Sequence, residues 1–320
     1  MPPVNAKNIL IIKHGAFGDI MQADGALRDI RRAHPHARLT MLTMPAYARI
    51  FDRCPHVDRV LIDERAPRWR LDKMRALARS LWAEQFDMIY DLQNSPRTAF
   101  YHRWMLRHLP WSGTAKGASH LHRAENPKSI PSLQRLEGQL RDAGLETGHT
   151  LFPDLSWMAD DVSALLEEAG VKKPFIVLVA GSSARHPQKR WPYYADLAAR
   201  LRAEGRCVVI APGPDELYLP RKIPDAVALT GPRGFLNWFE LAGLLRQASF
   251  VIGNDTGPTH LAAHLGVPGL ALFGSHMSAE RTGIERQNFE ALEVPELASL
   301  PLGRVLDELH IRESEAAAGS

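Results

Sequence analysis

The chain reads as an α/β protein built from two parallel-sheet domains, and three observations lead there. Its 320 residues exceed one simple core and suit two domains of ordinary size. Short aliphatic runs alternate with helix-patterned stretches from end to end. The runs are continuous rather than alternating in polarity, the pattern of strands covered on both faces by crossing helices.

In the first half, strands are expected at "NILIIKH", "RLTMLTM", "VDRVLID" and "FDMIYDLQ", with helices over 20–34 and 71–84 between them. The second half repeats the style in "FIVLVAG", "CVVIAPG", "AVALTG", "FVIGND" and "GLALFGS". A helix around Asp160 to Ala169 opens that half, another begins near Pro192, and 300–312 forms a last helix. The closing "ESEAAAGS" reads as a frayed tail. Gly and Pro in "TGHTLFPDLSW" interrupt the periodicity, so the domains divide as 1–152 and 153–320. Two Rossmann-like units facing each other across a cleft, with a C-terminal helix, are the expected architecture. In such sheets ligands bind beyond the carboxyl ends of the strands, so the loops after each aliphatic run are where chemistry is sought.

Composition narrows the class. With 45% hydrophobic and 23% charged residues the chain is globular rather than disordered. No apolar run reaches the roughly 18 residues of a membrane span. "MPPVNAKN" carries no hydrophobic signal core, so a cytoplasmic location is expected. Cys54 and Cys207 are the only cysteines, and two buried, reduced thiols are expected of them. The net charge of +3 hides an asymmetry: residues 1–150 hold 23 Lys and Arg against 15 Asp and Glu, a balance of +8, and the remainder holds 16 against 21, a balance of −5. A basic half suits an anionic partner or is a solvated face. No nucleic-acid module accompanies the basic residues, so nucleic acid is not expected as the partner.

The first loop is "KHGAFGD", with His14 at its entry. Gly15 and Gly18 do not complete a dinucleotide fingerprint, and no Gly-Lys-Ser/Thr follows. Asp19 at a helix start is stabilised as an anion by the helix dipole; it is either a cap or a general base presented on a glycine turn. After "FIVLVAG", Ser182 and Ser183 offer hydroxyls and Lys189 and Arg190 offer cations before a helix, a combination that suits a diphosphate. In "APGPDE", Glu216 or Asp215 is placed to accept hydrogen bonds from ribose hydroxyls. In "VIGNDTGPTHLAAHLGVPGLALFGS", Asp255, Thr256 and Gly257 make a turn and Pro258 opens a helix whose amino end faces the loop. His260 and His264 are one turn apart, but no third ligand stands beside them. A phosphate-facing His260 and a packed His264 are expected, and no metal.

Taken together, "KHGAFGD", "KRWP", "GPDE" and "NDTGPTHLAAHLGVP" followed by "LFGS" make the sequence resemble the heptosyltransferase family of glycosyltransferases along nearly its whole length. The resemblance implies a GT-B fold with an acceptor-binding first domain and a second domain that binds ADP-heptose. It also implies an inverting, metal-independent transfer to the inner core of bacterial lipopolysaccharide, with no cofactor beyond the donor. Asp19 looks like the family's catalytic base and Lys189 like its diphosphate lysine. Ser182 and Ser183 stand at hydroxyl positions, Glu216 resembles the ribose acid, and Asp255, Thr256, Gly257 and His260 match the donor loop. Two departures are visible: Gly25 stands where many members have proline, and the region after Ser275 is short.

On this reading the basic half meets a lipid-linked acidic oligosaccharide. His14, Arg97, Lys116, His120 and Arg123 are its candidate contacts. The aromatics among them in 97–123 either pack in the core or touch the cytoplasmic face of the inner membrane, where salt and changes at Arg103 and Arg107 should weaken binding. The rival readings are a transferase using UDP or GDP sugars, a nucleotide-sugar epimerase, and a non-catalytic nucleotide- or lipid-binding relic. A nicotinamide dehydrogenase fails for want of the glycine fingerprint.

Overall fold

A computed structural model of the chain describes residues 6–123, 130–183 and 186–318. It divides into two compact units, Met1–Trp157 and Met158–Ser320. In the first, the order is β1 (Asn8–Ile12), α1 (Phe17–Gln22), α2 (Asp24–Ala33), β2 (Arg38–Thr43), α3 (Ala48–Arg53), β3 (Arg59–Ile62), α4 (Leu71–Ala83), β4 (Met88–Asp91), α5 (Pro96–Trp104), β5 (Trp111–Gly113), β6 (His120–Leu121) and α6 (Ser132–Asp142). The second contains α7 (Ser163–Glu168), β7 (Phe175–Val179), α8 (Tyr194–Ala203), β8 (Cys207–Ile210), α9 (Leu219–Lys222), β9 (Val227–Ala228), α10 (Trp238–Gln247), β10 (Phe250–Asn254), α11 (Gly257–His264), β11 (Gly269–Phe273), α12 (Ala279–Thr282), β12 (Phe289–Glu293) and α13 (Leu302–Ala318).

Each unit holds a six-stranded sheet, ordered β3-β2-β1-β4-β5-β6 and β12-β11-β10-β7-β8-β9. Every described strand-to-strand pairing within the two sheets is parallel. Both sheets are doubly wound with the same strand order counted from their own first strand, and the order reverses between β1 and β4 and between β7 and β10. The strands lie under helices on both sides, which is why β1 is Ile-Leu-Ile-Ile without alternation: Ile9, Leu10, Ile11 and Ile12 are all fully buried. Each such side chain contributes about 1.5–3 kcal/mol of transfer free energy. In the first unit Leu10, Ile12 and Ile89 pack with Leu77 and Leu81 of α4 and Tyr101 of α5.

The division falls at the last residue of the Gly/Pro stretch 147–157, and two carboxylates tie that stretch to the first unit. Asp29 accepts the backbone N–H groups of Gly148 (3.2 Å), His149 (3.0 Å) and Thr150 (2.8 Å) and the Thr150 hydroxyl (2.7 Å). Asp24 accepts the N–H of Asp154 and the indole N–H of Trp157, both at 3.0 Å. Gly25 lies between these acids, where a Cβ would stand 2.1 Å from the His149 carbonyl oxygen. The residue that departs from the family pattern is therefore the one that admits the crossing chain. Burial pushes the Asp24 carboxyl up to about 6, against the pull of its hydrogen bonds from Trp157 and Asp154.

Other expectations are corrected. The 20–34 helix is two helices that meet at Ala23, and the helix opening the second unit is short, Ser163–Glu168. "ESEAAA" is not frayed: α13 runs to Ala318. Its residues are good helix formers, and Arg312 pairs with Glu308 one turn before it and Glu315 after it, while Arg206 bonds Glu313. Both cysteines are free; Cys54 is buried, and burial pushes its thiol up to about 12, but Cys207 at the start of β8 is only half-buried.

Candidate active site

Polar residues gather at both switch points. In the first unit β1 is followed directly by Lys13 and His14. The ammonium of Lys13 is buried and donates to the Leu92 carbonyl at 3.0 Å. Burial lowers its pKa, and the negative charges of Asp19 and Asp91 partly restore it. Gln93, just past β4, accepts the His14 N–H at 2.8 Å and donates to the Gly15 carbonyl at 3.3 Å. Gly15 has a φ of +115°, and a Cβ there would lie 2.5 Å from the Tyr47 ring. The turn thus needs glycine for both conformation and space.

The turn delivers Asp19 to the third residue of α1. Its carboxylate is half-exposed and accepts the Ala16 N–H at 3.0 Å, the one-sided half of a capping box, since the Ala16 methyl has no acceptor to return. That hydrogen bond leaves acceptor capacity on the carboxylate, the chemical requirement for a proton acceptor.

Of the expected acceptor contacts, two are turned inward. His14 Nε2 lies 3.1 Å from Asp63 and the Arg97 guanidinium 3.3 Å from it. Tyr101 donates its hydroxyl to the same acid at 2.5 Å. Burial alone would raise the Asp63 carboxyl, yet the contacts from His14 and Tyr101 hold it well below the usual carboxylate range. Lys116, His120 and Arg123 lie elsewhere, around β6 at the sheet edge, three strands from β1. Lys116 and Arg123 are exposed and His120 is half-buried.

In the second unit Asp255 follows β10 and is the centre of a cluster. Lys189 donates to its carboxylate at 2.6 Å and to its carbonyl at 3.1 Å. His260, in α11, lies 3.1 Å from one oxygen and His276, after β11, 3.0 Å from the other. Burial would raise this carboxyl, but His260 and Lys189 hold it well below the usual range. Thr256 and Gly257 open α11 beside it, with Thr256 at the N-cap and Pro258 in the first turn.

Asn254 joins the surrounding loops. It donates to the carbonyls of Ala180 and Gly181 and accepts from the Trp191 N–H and the Tyr194 hydroxyl. Ser182 is buried, donates to the His186 carbonyl and accepts from Arg190, while Ser183 is exposed. Glu216 folds back to accept the Gly213 N–H at 3.1 Å. Its carboxylate occupies the space a Gly181 side chain would need.

His264 is buried and lies 3.1 Å from Arg286; burial and that guanidinium push its pKa well below the ordinary value. It is packed, as expected. Among the described residues no group of three His, Cys, Asp or Glu side chains is arranged to hold a metal. Asn254, His276, Asp63 and Gln93 were not singled out from sequence. Each stands at a strand end or just after it, and that position was the available signal.

Twin doubly wound sheets with polar loops at both switch points define a class, the GT-B fold of nucleotide-sugar enzymes. The model of glycosyltransferase family 9 (heptosyltransferase) matches residues 74–299. The chain belongs to that family and is a glycosyltransferase. Lipopolysaccharide heptosyltransferase 1 of Pseudomonas aeruginosa is 27% identical over 296 residues, covering 83% of this chain and 78% of the relative. The structure of Escherichia coli ADP-heptose lipopolysaccharide heptosyltransferase II matches with a TM-score of 0.77 at 21% identity, covering 97% of this chain and 99% of the other. Escherichia coli heptosyltransferase WaaC with ADP-2-deoxy-2-fluoro heptose matches with 0.71 at 19%, covering 95% and 99%. The expected fold and family are borne out.

Proposed function

We propose that this glycosyltransferase moves a heptose from ADP-heptose to a hydroxyl of the lipopolysaccharide inner core, with inversion and without a metal. Asp19 takes the proton of the acceptor hydroxyl as its oxygen attacks the anomeric carbon from the face opposite the nucleotide. The bond from that carbon to the diphosphate oxygen breaks, and ADP leaves with the electron pair. Lys189, His260 and the N–H groups at the start of α11 from Thr256 and Gly257 stabilise the charge that grows on the diphosphate. Asp255 keeps Lys189 and His260 in place, Ser182 and Ser183 shape the adjoining loop, and Glu216 accepts from the ribose. Lys116, His120 and Arg123 face acidic groups of the acceptor, while His14 and Arg97, held on Asp63, support the loop that carries Asp19. Because the acceptor is lipid-linked, the reaction belongs at the cytoplasmic face of the inner membrane.

The observation that carries this reading is the Lys189–Asp255–His260 cluster at the amino end of α11. The names of the relatives support heptose as the sugar and lipopolysaccharide as the acceptor class. Incubation with ADP-heptose and truncated lipopolysaccharide cores, read by mass spectrometry, should add one heptose, with EDTA making no difference. The configuration of the new linkage by NMR tests inversion. Stabilisation by UDP or GDP but not ADP in a thermal shift would instead favour another nucleotide sugar.

A further inference from the structure

We infer that the outward faces of α4 and α5 form a docking surface for an anionic lipid bilayer. The inference rests on the proposed function only in taking the acceptor to be lipid-linked; the surface is made of residues outside the candidate active site.

A helix packed on a sheet turns an apolar stripe inward and polar residues outward. The inner stripe of α4 is Met74, Leu77, Ala78 and Leu81, but its outer side is mixed. Leu71, Arg75, Arg79 and Trp82 are spaced by four, four and three residues, which sets them in one outward stripe. Leu71 is 60% exposed and Trp82 53%. The Trp82 indole N–H donates to the Met105 carbonyl at 2.8 Å, tying the end of α4 to the end of α5, and both helices cover the same core.

On α5, Trp104 is 65% exposed. It lies 6.4 Å from the Phe100 ring, with the Arg103 guanidinium 5.1 Å from its own centre. Arg68 stands over Phe100 at 5.7 Å, and its neighbour Trp69 is 75% exposed. An open pocket of about 270 Å³ beside Trp82, lined by Leu81, Phe86, Leu106 and Leu109 among others, offers an apolar lining to an acyl segment.

The charges identify the occupant. Arg70 and Lys73 are neutralised by Asp72 and Glu64, but Arg75, Arg79, Arg103 and Arg107 have no acidic partner among the described residues. Arg and Trp are both enriched at protein–protein interfaces as well, so the occupant follows from the net charge. Four guanidiniums without acidic partners among the described residues repel a second copy of the same face and call for a densely anionic surface. A membrane surface suits that mixture, because indoles settle at the headgroup level while arginines meet lipid phosphates.

The test uses the full chain with vesicles of neutral phosphatidylcholine, with and without about one third anionic phosphatidylglycerol, in a sedimentation assay. Binding should require the anionic lipid and fall as salt is raised, since the Debye length shrinks from about 10 Å at 0.1 M to about 3 Å at 1 M. Arg75→Ser/Arg79→Ser and, separately, Trp69→Ser/Trp104→Ser should each weaken it by roughly ten- to thirty-fold. Both should keep wild-type melting curves and wild-type turnover on a lipid-free core oligosaccharide. Recovery of the wild type in the supernatant, or equal binding by the variants, overturns the docking surface, as does concentration-dependent self-association that buries Trp104 in place of vesicle binding. Vesicle binding without any heptose transfer would leave the surface standing and sink the proposed function.

Discussion

The ends of β1 and β10 are built alike and finished differently. Each strand is buried, sits at its sheet's switch point and hands the chain to a loop that carries an acid. Asp19 is half-exposed and accepts a hydrogen bond from the Ala16 N–H. Asp255 is buried and receives Lys189, His260 and His276. A carboxylate saturated with cations and imidazoles is held ionised and makes a poor proton acceptor. One with open lone pairs can take a proton. Under the proposed function the contrast separates two roles that the sequence presents in the same guise: a reacting acid and a scaffolding one.

The largest expected effect tests the reacting acid. Asp19→Asn keeps the shape and the capping bond to Ala16 but removes the base, and the rate should fall about 100- to 10,000-fold with ADP affinity unchanged in calorimetry. Near-normal turnover would reduce Asp19 to a helix residue.

Asp255→Ala should act on structure as well as binding. Removing one partner of a buried ion pair costs about 3 kcal/mol, read by urea unfolding at neutral pH, and donor affinity should fall with it. The sign with pH follows from the depressed carboxyl. Its contribution is fully present above the unfolded-state pKa of about 4 and is lost as pH falls below that, so the variant should lose less stability than the wild type on acidification. Equal acid sensitivity in both proteins would remove Asp255 from its scaffolding role.

Lys189→Ala should raise KM for the donor and lower kcat together, by roughly 10- to 100-fold in kcat/KM, the range for a charge-assisted hydrogen bond. Unchanged kinetics would move the diphosphate elsewhere. The smallest change is expected for Glu216→Gln, which still accepts from Gly213. A loss of about fivefold in donor affinity, near 1 kcal/mol, is expected by calorimetry, and none at all would detach Glu216 from the ribose.

Long aliphatic strands and the loops after them were legible because both are local patterns. Ile9–Ile12 and Phe250–Ile252 announce buried strands, and glycines with an acid announce the turns. Strand β5 escaped notice because Trp-Ser-Gly is too short to show a period, and β12 because Phe-Glu-Ala-Leu-Glu lies at a sheet edge and is half polar. Asp63, Asp29 and Asn254 were missed for another reason. Their partners, Arg97, Thr150 and Trp191, lie 34, 121 and 63 positions away, and no spacing rule joins residues that only the fold brings together. The same holds for His276, whose meaning appears only when β11 is placed beside β10.

The cluster around Asp255 also says something about traffic through the site. Under the proposed function, Lys189 does not wait as a bare ammonium for a diphosphate; it already has an anion, at 2.6 Å. Arrival of the nucleotide is then an exchange of counterions, and much of the desolvation of the lysine has been met during folding. Departure runs the same exchange backwards, because Asp255 stays in place as a standing competitor for the cation. A site made this way does not hold its spent nucleotide more tightly than the next donor needs, and the ammonium is returned to its starting position after every turnover.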